Sequence, residues 1–266
     1  MFPKKHFGQN FLTSIPARIA IAEAGELHPE DIVLEIGPGK GFLTKGLLEK
    51  GAHILALEKD RELIPLLSET FKEEIKNKQL TLLEGDVLHF DPPLHNLKVG
   101  EYKIIANIPY YITGAILSHF LSHAYHPSCI VVLIQKEVAE RIVTKDNKES
   151  LLSLSVKVYG DPKIVYRVVK GSFNPIPKVD SAVLQIKNIS KKNFKNQYHE
   201  ELFFKLIHAG FAHKRKYARS NIIGEFKHIS LDILFEKCEI DTKARAEDIS
   251  LTKWLLLSQY ICENHS

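Results

Sequence analysis

The chain has 266 residues, of which 44% are hydrophobic and 26% charged, with a formal net charge of +4. These proportions exclude collagen-like and disordered classes and are sufficient for a sizeable folded core. The longest apolar runs, 129–134 and 254–257, are too short to cross a bilayer, and no apolar segment follows the basic residues of 1–10. We therefore expect neither a membrane span nor a signal peptide. Because the three cysteines form no CxxC pair, we expect a reducing, cytoplasmic setting.

Short apolar runs alternate with helical spacings along the first part of the chain. The predicted strands are 31–36, 52–57, 80–83, 103–106 and 129–134, and the predicted helices are 42–50, 61–76, 113–124 and 136–143. This alternation implies βαβ units and a mostly parallel sheet. Two further strand-like segments, 163–169 and 181–186, flank a proline-rich loop and predict an antiparallel pair at the edge of the sheet.

The composition changes around residues 188–197, where polar residues and lysine predominate. We interpret this stretch as a linker between a catalytic domain, 1–190, and a smaller all-α domain, 191–266. Phe203, Leu206, Ile207 and Phe211 follow helical spacing in the second part. Residues 191–219 contain eight basic and two acidic side chains, a surplus typical either of a polyanion-binding surface or of a solvated helical face.

A glycine-rich loop follows the first predicted strand, at the end where open α/β sheets bind ligands. Gly37 and Gly39 allow the backbone to turn tightly and approach a ligand closely. Glu58 ends the next strand, where an acid can accept hydrogen bonds from ribose hydroxyls, and Asp86 follows the third strand, where it can hold an exocyclic amine. Phe42 stands where a dinucleotide fingerprint has its third glycine, which disfavours NAD. This pattern favours S-adenosylmethionine.

The most informative motif is Asn107-Ile108-Pro109-Tyr110, directly after the fourth strand. The lone pair of an adenine N6 amine is delocalised into the ring. Two hydrogen-bond acceptors, the Asn107 side-chain oxygen and the Ile108 carbonyl, would localise it, with Pro109 restricting the backbone. Tyr110 offers a face on which the base can stack, and Phe173, in a proline-framed loop, would close the pocket from the other side. The target base must then leave its stack.

With these motifs in place, the chain resembles the small-subunit (16S-type) ribosomal RNA adenine N6,N6-dimethyltransferase family over nearly its whole length. The matching segments are 7–12 (FGQNFL), 35–44 (EIGPGKGFLT), 107–110 (NIPY), 173–182 (FNPIPKVDSA), 211–216 (FAHKRK) and 245–250 (RAEDIS). The resemblance implies a Rossmann-like class I methyltransferase domain with a small helical domain. It also implies that Asn10 and Leu12 contact the cofactor, and Asn107 is expected to contact the cofactor as well as the base.

The resemblance further implies S-adenosylmethionine as methyl donor and two adjacent adenines in a hairpin near the 3′ end of small-subunit RNA as the target. No metal is expected, because the 13 histidines show no convincing ligand spacing: His119 and His123 are four apart on a predicted helix but lack the acid of an HExxH motif. The partner would be this RNA or the immature small subunit, and a monomer is the default expectation. The C-terminal signature and the local charge place RNA contacts at Lys214, Arg215, Lys216 and Arg219.

Three other hypotheses stay open at this point. A related enzyme could act on DNA adenine or on large-subunit RNA, because the chemistry at N6 is shared. A nucleic-acid-binding assembly factor could keep the fold without catalysis, although intact Asn107, Glu58 and Asp86 argue against it. An NAD oxidoreductase is disfavoured by the NIPY motif.

Overall fold

The computed structural model describes residues 9–143, 148–226 and 229–264, so Phe7 and Gly8 of the N-terminal signature lie outside the described residues. The chain forms two compact units. The first comprises Met1–Ala139 and Gly160–Ile189, and the second comprises Glu140–Tyr159 and Ser190–Ser266. A segment from the middle of the chain therefore joins the C-terminal residues in the second unit.

The first unit is built on a seven-stranded mixed sheet with the order β4-β3-β2-β5-β6-β9-β7. The strands in chain order are β1 (Phe11–Leu12), β2 (Ile32–Ile36), β3 (His53–Glu58), β4 (Leu80–Glu84), β5 (Tyr102–Asn107), β6 (Cys129–Gln135), β7 (Asp161–Val168), β8 (Phe173–Asn174) and β9 (Ser181–Lys187). Strands β2 to β6 are mutually parallel, whereas β9 is antiparallel to both β6 and β7. The predicted antiparallel edge pair and the α/β fold class are confirmed.

Strand β2 shows that both faces of the sheet are covered. Val33, Leu34, Glu35 and Ile36 are all buried, although successive side chains point to opposite faces. The strand order reverses between β2 and β5, and ligands bind in such sheets at the carboxyl ends of the strands beside this reversal.

The described residues also form α-helices, which are divided between the two units. They are α1 (Ile15–Ala24), α2 (Phe42–Leu48), α3 (Ile64–Thr70), α4 (Lys72–Lys76), α5 (Thr113–Ser122), α6 (Lys136–Ile142), α7 (Leu151–Lys157), α8 (Gln197–Gly210), α9 (Ala218–Ile222), α10 (Leu231–Lys237) and α11 (Leu251–Asn264).

The single helix predicted over 61–76 was wrong. Helix α3 begins only at Ile64, with Pro65 in its first turn, where a missing N–H is tolerated. The helical path breaks at Phe71, whose φ of −115° and ψ of 34° are not helical. Its ring is buried against the glycine-rich loop, so close that a Cβ built on Gly41 would lie 2.3 Å from it. The helix is thus interrupted at a residue whose ring makes a tertiary contact, and the spacing of apolar residues along the sequence does not reveal that contact.

The second unit is helical, with α8 packed against α7, α9 and α11. Phe203, Leu206 and Ile207 are buried on α8, as their spacing predicts. Trp254 on α11 is completely buried, and a Cβ on Gly210 would lie only 2.5 Å from its ring. A glycine at that position therefore lets the indole approach the end of α8 closely.

Across the part of the chain that the structure describes, no helix combines the length and the apolar character needed to span a membrane.

Candidate active site

A cavity of about 860 Å³ opens where β2 and β5 end, beside the reversal of strand order. Its size lies in the range of small-molecule and cofactor sites. The residues predicted for the cofactor and for the base that line it are Asn10, Leu12, Gly37, Gly39, Glu58, Asp86, Asn107, Ile108, Pro109 and Tyr110. The fold therefore brings ten residues from five separated segments to one cavity.

The glycine-rich loop forms one wall and needs its glycines. Gly37 and Gly39 have φ values of 68° and 61°, in the left-handed region that other residues rarely adopt. A Cβ on Gly39 would also lie 3.1 Å from the Phe11 ring, so a side chain there would press on the N-terminal strand β1. Lys40 also contacts Phe11, with its ammonium 5.0 Å from the centre of the ring.

Glu58 is fixed against this loop by backbone amides. Its carboxylate accepts hydrogen bonds from the Gly39 N–H at 3.0 Å and from the Asp60 N–H at 2.8 Å. The side chain is 5% exposed, and burial raises its pKa above the ordinary value while the backbone hydrogen bonds oppose that rise. The two amides hold both carboxylate oxygens in place, and each oxygen keeps a lone pair for a ligand hydroxyl.

Asp86 lines the same cavity, at the start of a short 3₁₀ turn, Val87–His89. One oxygen accepts from the Leu88 N–H at 3.1 Å, and the other contacts the Lys59 ammonium at 2.7 Å. Lys59, which sequence analysis did not single out, lowers the pKa of Asp86 and so keeps this carboxylate ionised. An ionised carboxylate is an acceptor only, which suits an amine ligand.

Asn107 ends β5, and its amide orientation is set by the N-terminal segment. Its Nδ2 donates to the backbone carbonyl of Asn10 at 3.0 Å. Because a carbonyl oxygen can only accept, the nitrogen must face Asn10, and Oδ1 is left as the acceptor of this side chain. Pro109 follows with φ of −59° and ψ of 131°. The motif therefore begins with an oriented acceptor and a stiff turn.

Tyr110 is held by a residue that sequence analysis missed. Its hydroxyl lies 2.7 Å from Ser181 Oγ, and Ser181 is completely buried at the start of β9. Burial raises the pKa of Tyr110. The sequence offered one signal for Ser181, which is its position where the proline-rich loop meets strand β9. Ser181 orients the ring that faces the cavity.

Phe173 is the one predicted base-pocket residue that does not line the cavity. It is 2% exposed and lies in the hydrophobic core of the first unit. Strand β8, which contains it, pairs with β1 through Leu12–Phe173 and Phe11–Asn174, and Asn174 does line the cavity. The proline-framed loop thus reaches the cavity through Asn174, and a stacking role for Phe173 stays a prediction.

A third residue absent from the sequence-based set is Glu35, near the end of β2. It is 1% exposed, and burial raises its pKa to about 8, with Thr44 opposing the rise and the Glu58 carboxylate adding to it. The signal was an acid within the apolar run 32–36. This carboxyl group is therefore largely protonated at neutral pH.

The residues predicted to contact RNA lie in the second unit. Lys214, Arg215 and Lys216 are exposed in the turn between α8 and α9 and form no ion pair within the described ranges. Arg219 donates two hydrogen bonds to Asp232, at 2.6 and 2.7 Å. Three of the four are therefore exposed and without a direct ion pair, although the Lys214 charge helps to lower the pKa of Glu247, while the guanidinium of Arg219 is already paired.

His119 lies on α5 and His123 directly after its end, and neither belongs to a metal-binding cluster of the described residues. His119 Nε2 is hydrogen-bonded to the Phe90 carbonyl at 2.8 Å. In the residues that the structure describes, no group of three or more His, Cys, Asp or Glu side chains could hold a metal ion.

Comparison with known proteins gives a family match over nearly the whole chain. The model of the family described as ribosomal RNA adenine dimethylase matches residues 3–263. The chain is 39% identical over 254 residues to ribosomal RNA small subunit methyltransferase A of Dehalococcoides mccartyi, covering 94% of this chain and 86% of that protein. It is 38% identical over 264 residues to the protein of the same name from Clostridium acetobutylicum, covering 97% and 93%.

Two solved structures share the fold. A dimethyladenosine transferase from Plasmodium falciparum superposes with a TM-score of 0.81 at 24% identity, covering 95% of this chain and 98% of that one. The 23S rRNA methyltransferase ErmE superposes with a TM-score of 0.74 at 23% identity, covering 94% and 98%. Both show the architecture alone.

Proposed function

Because the chain belongs to the ribosomal RNA adenine dimethylase family, we propose that it dimethylates N6 of two adjacent adenines in a hairpin near the 3′ end of small-subunit ribosomal RNA. The methyl donor is S-adenosylmethionine, and the reaction belongs to ribosome assembly. The observation that carries the proposal is the convergence of Glu58, Asp86 and Asn107 on one cavity.

The cavity fits this donor in its polar groups and its shape. Glu58 offers fixed acceptors to the two ribose hydroxyls, and Asp86 offers an ionised acceptor to the adenine amine. The positive φ angles of Gly37 and Gly39 let the backbone come close to the ligand, and Asn10 and Leu12 close the side formed by the N-terminal segment. Bound there, S-adenosylmethionine supplies an electrophilic sulfonium methyl group.

The residues after β5 handle the other reactant. Asn107 Oδ1 and the Ile108 carbonyl accept the two N–H bonds of the adenine amine, so that the nitrogen lone pair is localised toward the methyl carbon. The bound donor would supply the methyl group and leave as a neutral thioether, and the proton displaced from N6 would pass to solvent. Tyr110, held by Ser181, stacks on the extruded base, which is worth about 1–3 kcal/mol. Alignment and desolvation supply most of the acceleration.

The names of the relatives support small-subunit RNA over large-subunit RNA as the target class. We extend the proposal to an immature small subunit as substrate, and to a monomer acting in the cytoplasm without a metal. The buried thiols of Cys129, Cys238 and Cys262 form no disulfide and are compatible with a reducing compartment.

The test incubates the protein with methyl-labelled S-adenosylmethionine and, separately, immature small subunits, naked small-subunit RNA, large-subunit RNA and DNA. Digestion then identifies the modified nucleoside. Dimethyladenosine from small subunits or their RNA is expected. Label confined to DNA or to large-subunit RNA would overturn the target, and binding without label would overturn catalysis.

A further inference from the structure

The edge strand β7 brings exposed side chains to the side of the sheet where the cavity opens. Its last residue, Val168, pairs with Ser181, and Ser181 pairs with Gln135 at the carboxyl end of β6. Because β5 and β6 are parallel and their carboxyl ends lie here too, residues 166–170 lie at the same end of the sheet as the cavity. Lys163, nearer the start of β7, lies toward the opposite end of the strands.

This end of the first unit carries unpaired positive charge. Arg167, Lys170 and Lys178 are exposed and form no ion pair within residues 9–143, 148–226 and 229–264. The nearest acid in the loop, Asp180, has one carboxylate oxygen engaged by the backbone N–H of Lys170 at 2.9 Å. Three cations thus face one carboxylate that is partly satisfied by the backbone.

Exposed apolar side chains lie among these cations. Tyr166 is 38% exposed, and Val169 and Ile176 are each 65% exposed. The register of β7 against β9 shifts between Ile164 and Tyr166, and Val165 beside Tyr166 is also 37% exposed. Basic side chains interleaved with an aromatic ring and aliphatic groups match single-stranded or looped RNA, whose phosphates are anionic and whose bases stack.

The face is continuous with the cavity through the proline-framed loop. Asn174 is exposed and lines the cavity, and it is followed by Pro175, Ile176, Pro177 and Lys178. A strand of RNA lying along this loop would pass Asn174 to deliver a base to Tyr110.

We propose that this edge face, formed by Tyr166, Arg167, Val169, Lys170, Ile176 and Lys178, binds the RNA that flanks the target adenines, so that the first unit contributes its own RNA-contact surface. The inference rests on the proposed function. The competing interpretation is that positive charge merely protects an edge strand from pairing with another chain.

The test compares two variants of the full-length protein. In the first, Arg167→Gln, Lys170→Gln and Lys178→Gln are combined. The matched control is Lys163→Gln, an exposed cation at the far end of the same strand. Binding to a synthetic RNA hairpin with two adjacent adenines in its loop is measured across a series of salt concentrations. Cofactor binding is followed by calorimetry to show that the fold is intact.

The triple variant is expected to lower the slope of log K against log salt by about 2, since each phosphate contact on a single strand contributes about 0.7. The control is expected to keep the wild-type slope. Equal slopes for wild type and the triple variant, or an equal loss in Lys163→Gln, would overturn the edge face. If wild-type protein leaves RNA unmethylated, the proposed function itself fails, and the two failures are thereby distinguished.

Tyr166 provides a second, uncharged test. Tyr166→Ala is expected to raise KM for the hairpin several-fold with kcat little changed, whereas Tyr166→Phe keeps the ring and should restore the wild-type KM. Unchanged KM in Tyr166→Ala would remove the stacking part of the proposal.

Discussion

The cavity of the first unit and the basic segment 191–219 of the second unit hold their functional groups in different ways. In the cavity, Glu58 and Asn107 are bonded to backbone atoms of segments that the sheet brings together. In the basic segment, half of the eight cations meet carboxylates of the same unit. These pairs are Lys191–Glu200, Lys195–Glu263, Lys205–Glu225 and Arg219–Asp232.

This difference shows which sequence features still predict a functional site after contacts from the rest of the fold are taken into account. A motif at a strand end keeps its meaning because the sheet fixes its neighbours. A local charge surplus shrinks once acids from elsewhere in the sequence fold onto it, and here Glu225, Asp232 and Glu263 do so. Lys192, Lys214, Arg215 and Lys216 remain without an ion pair in the described part of the chain.

The largest effect is expected from the cavity. Asn107→Ala removes the oriented acceptor and should lower methyl transfer by about 10²–10³-fold, the loss typical of one preorganised hydrogen-bonding group. Transfer is measured with labelled S-adenosylmethionine and cofactor binding by calorimetry. We expect binding to persist, and its loss would show that Asn107 serves the cofactor rather than the base.

The buried Glu35 should make stability depend on pH. Its folded-state pKa of about 8 lies above its ordinary value of 4.5, so between these values the folded protein holds a proton that the unfolded chain has lost. The free energy of unfolding should therefore fall as pH rises through this window, by roughly 3 kcal/mol at pH 7. Glu35→Gln should abolish this part of the slope in denaturant titrations, and an unchanged slope would contradict a protonated Glu35.

Charge neutralisation sharpens the comparison within the second unit. Combining Lys214→Gln, Arg215→Gln and Lys216→Gln should weaken RNA binding and reduce its salt slope by about 2. The matched control is Lys205→Gln, a cation already paired with Glu225 at 3.0 Å, which should change the slope little. An unaltered slope in the triple variant would place the RNA surface of this unit elsewhere.

The smallest expected effect concerns the hydrogen bond behind Tyr110. Ser181→Ala and Tyr110→Phe should each lower kcat/KM by about 5–10-fold, corresponding to about 1 kcal/mol for one hydrogen bond. Because they break the same contact, the double variant should lose no more than either single variant. Full additivity in that cycle would show that Ser181 does not act through Tyr110.

The predictions that held concern residues attached to regular strands. The parallel strands, the antiparallel edge pair and the placement of Glu58, Asp86 and Asn107 around one cavity follow from apolar runs and from the geometry of open sheets. The prediction of one helix over 61–76 failed. The helix is interrupted at Phe71, whose ring packs against Gly41, about 30 residues away in the sequence. Glu35 was missed because its raised pKa depends on burial in the folded protein. Ser181 was missed because its partner, Tyr110, lies 71 residues away in the sequence.

The sequence alone determined the α/β class, the glycine-rich loop and the acceptor motif after β5, because backbone conformation and residue chemistry act locally. Only the tertiary structure decided how the Asn107 amide is oriented, what holds Tyr110 and which cations remain unpaired. Those outcomes depend on contacts between distant segments. Sequence spacing does not encode the distances at which hydrogen bonds and ion pairs form.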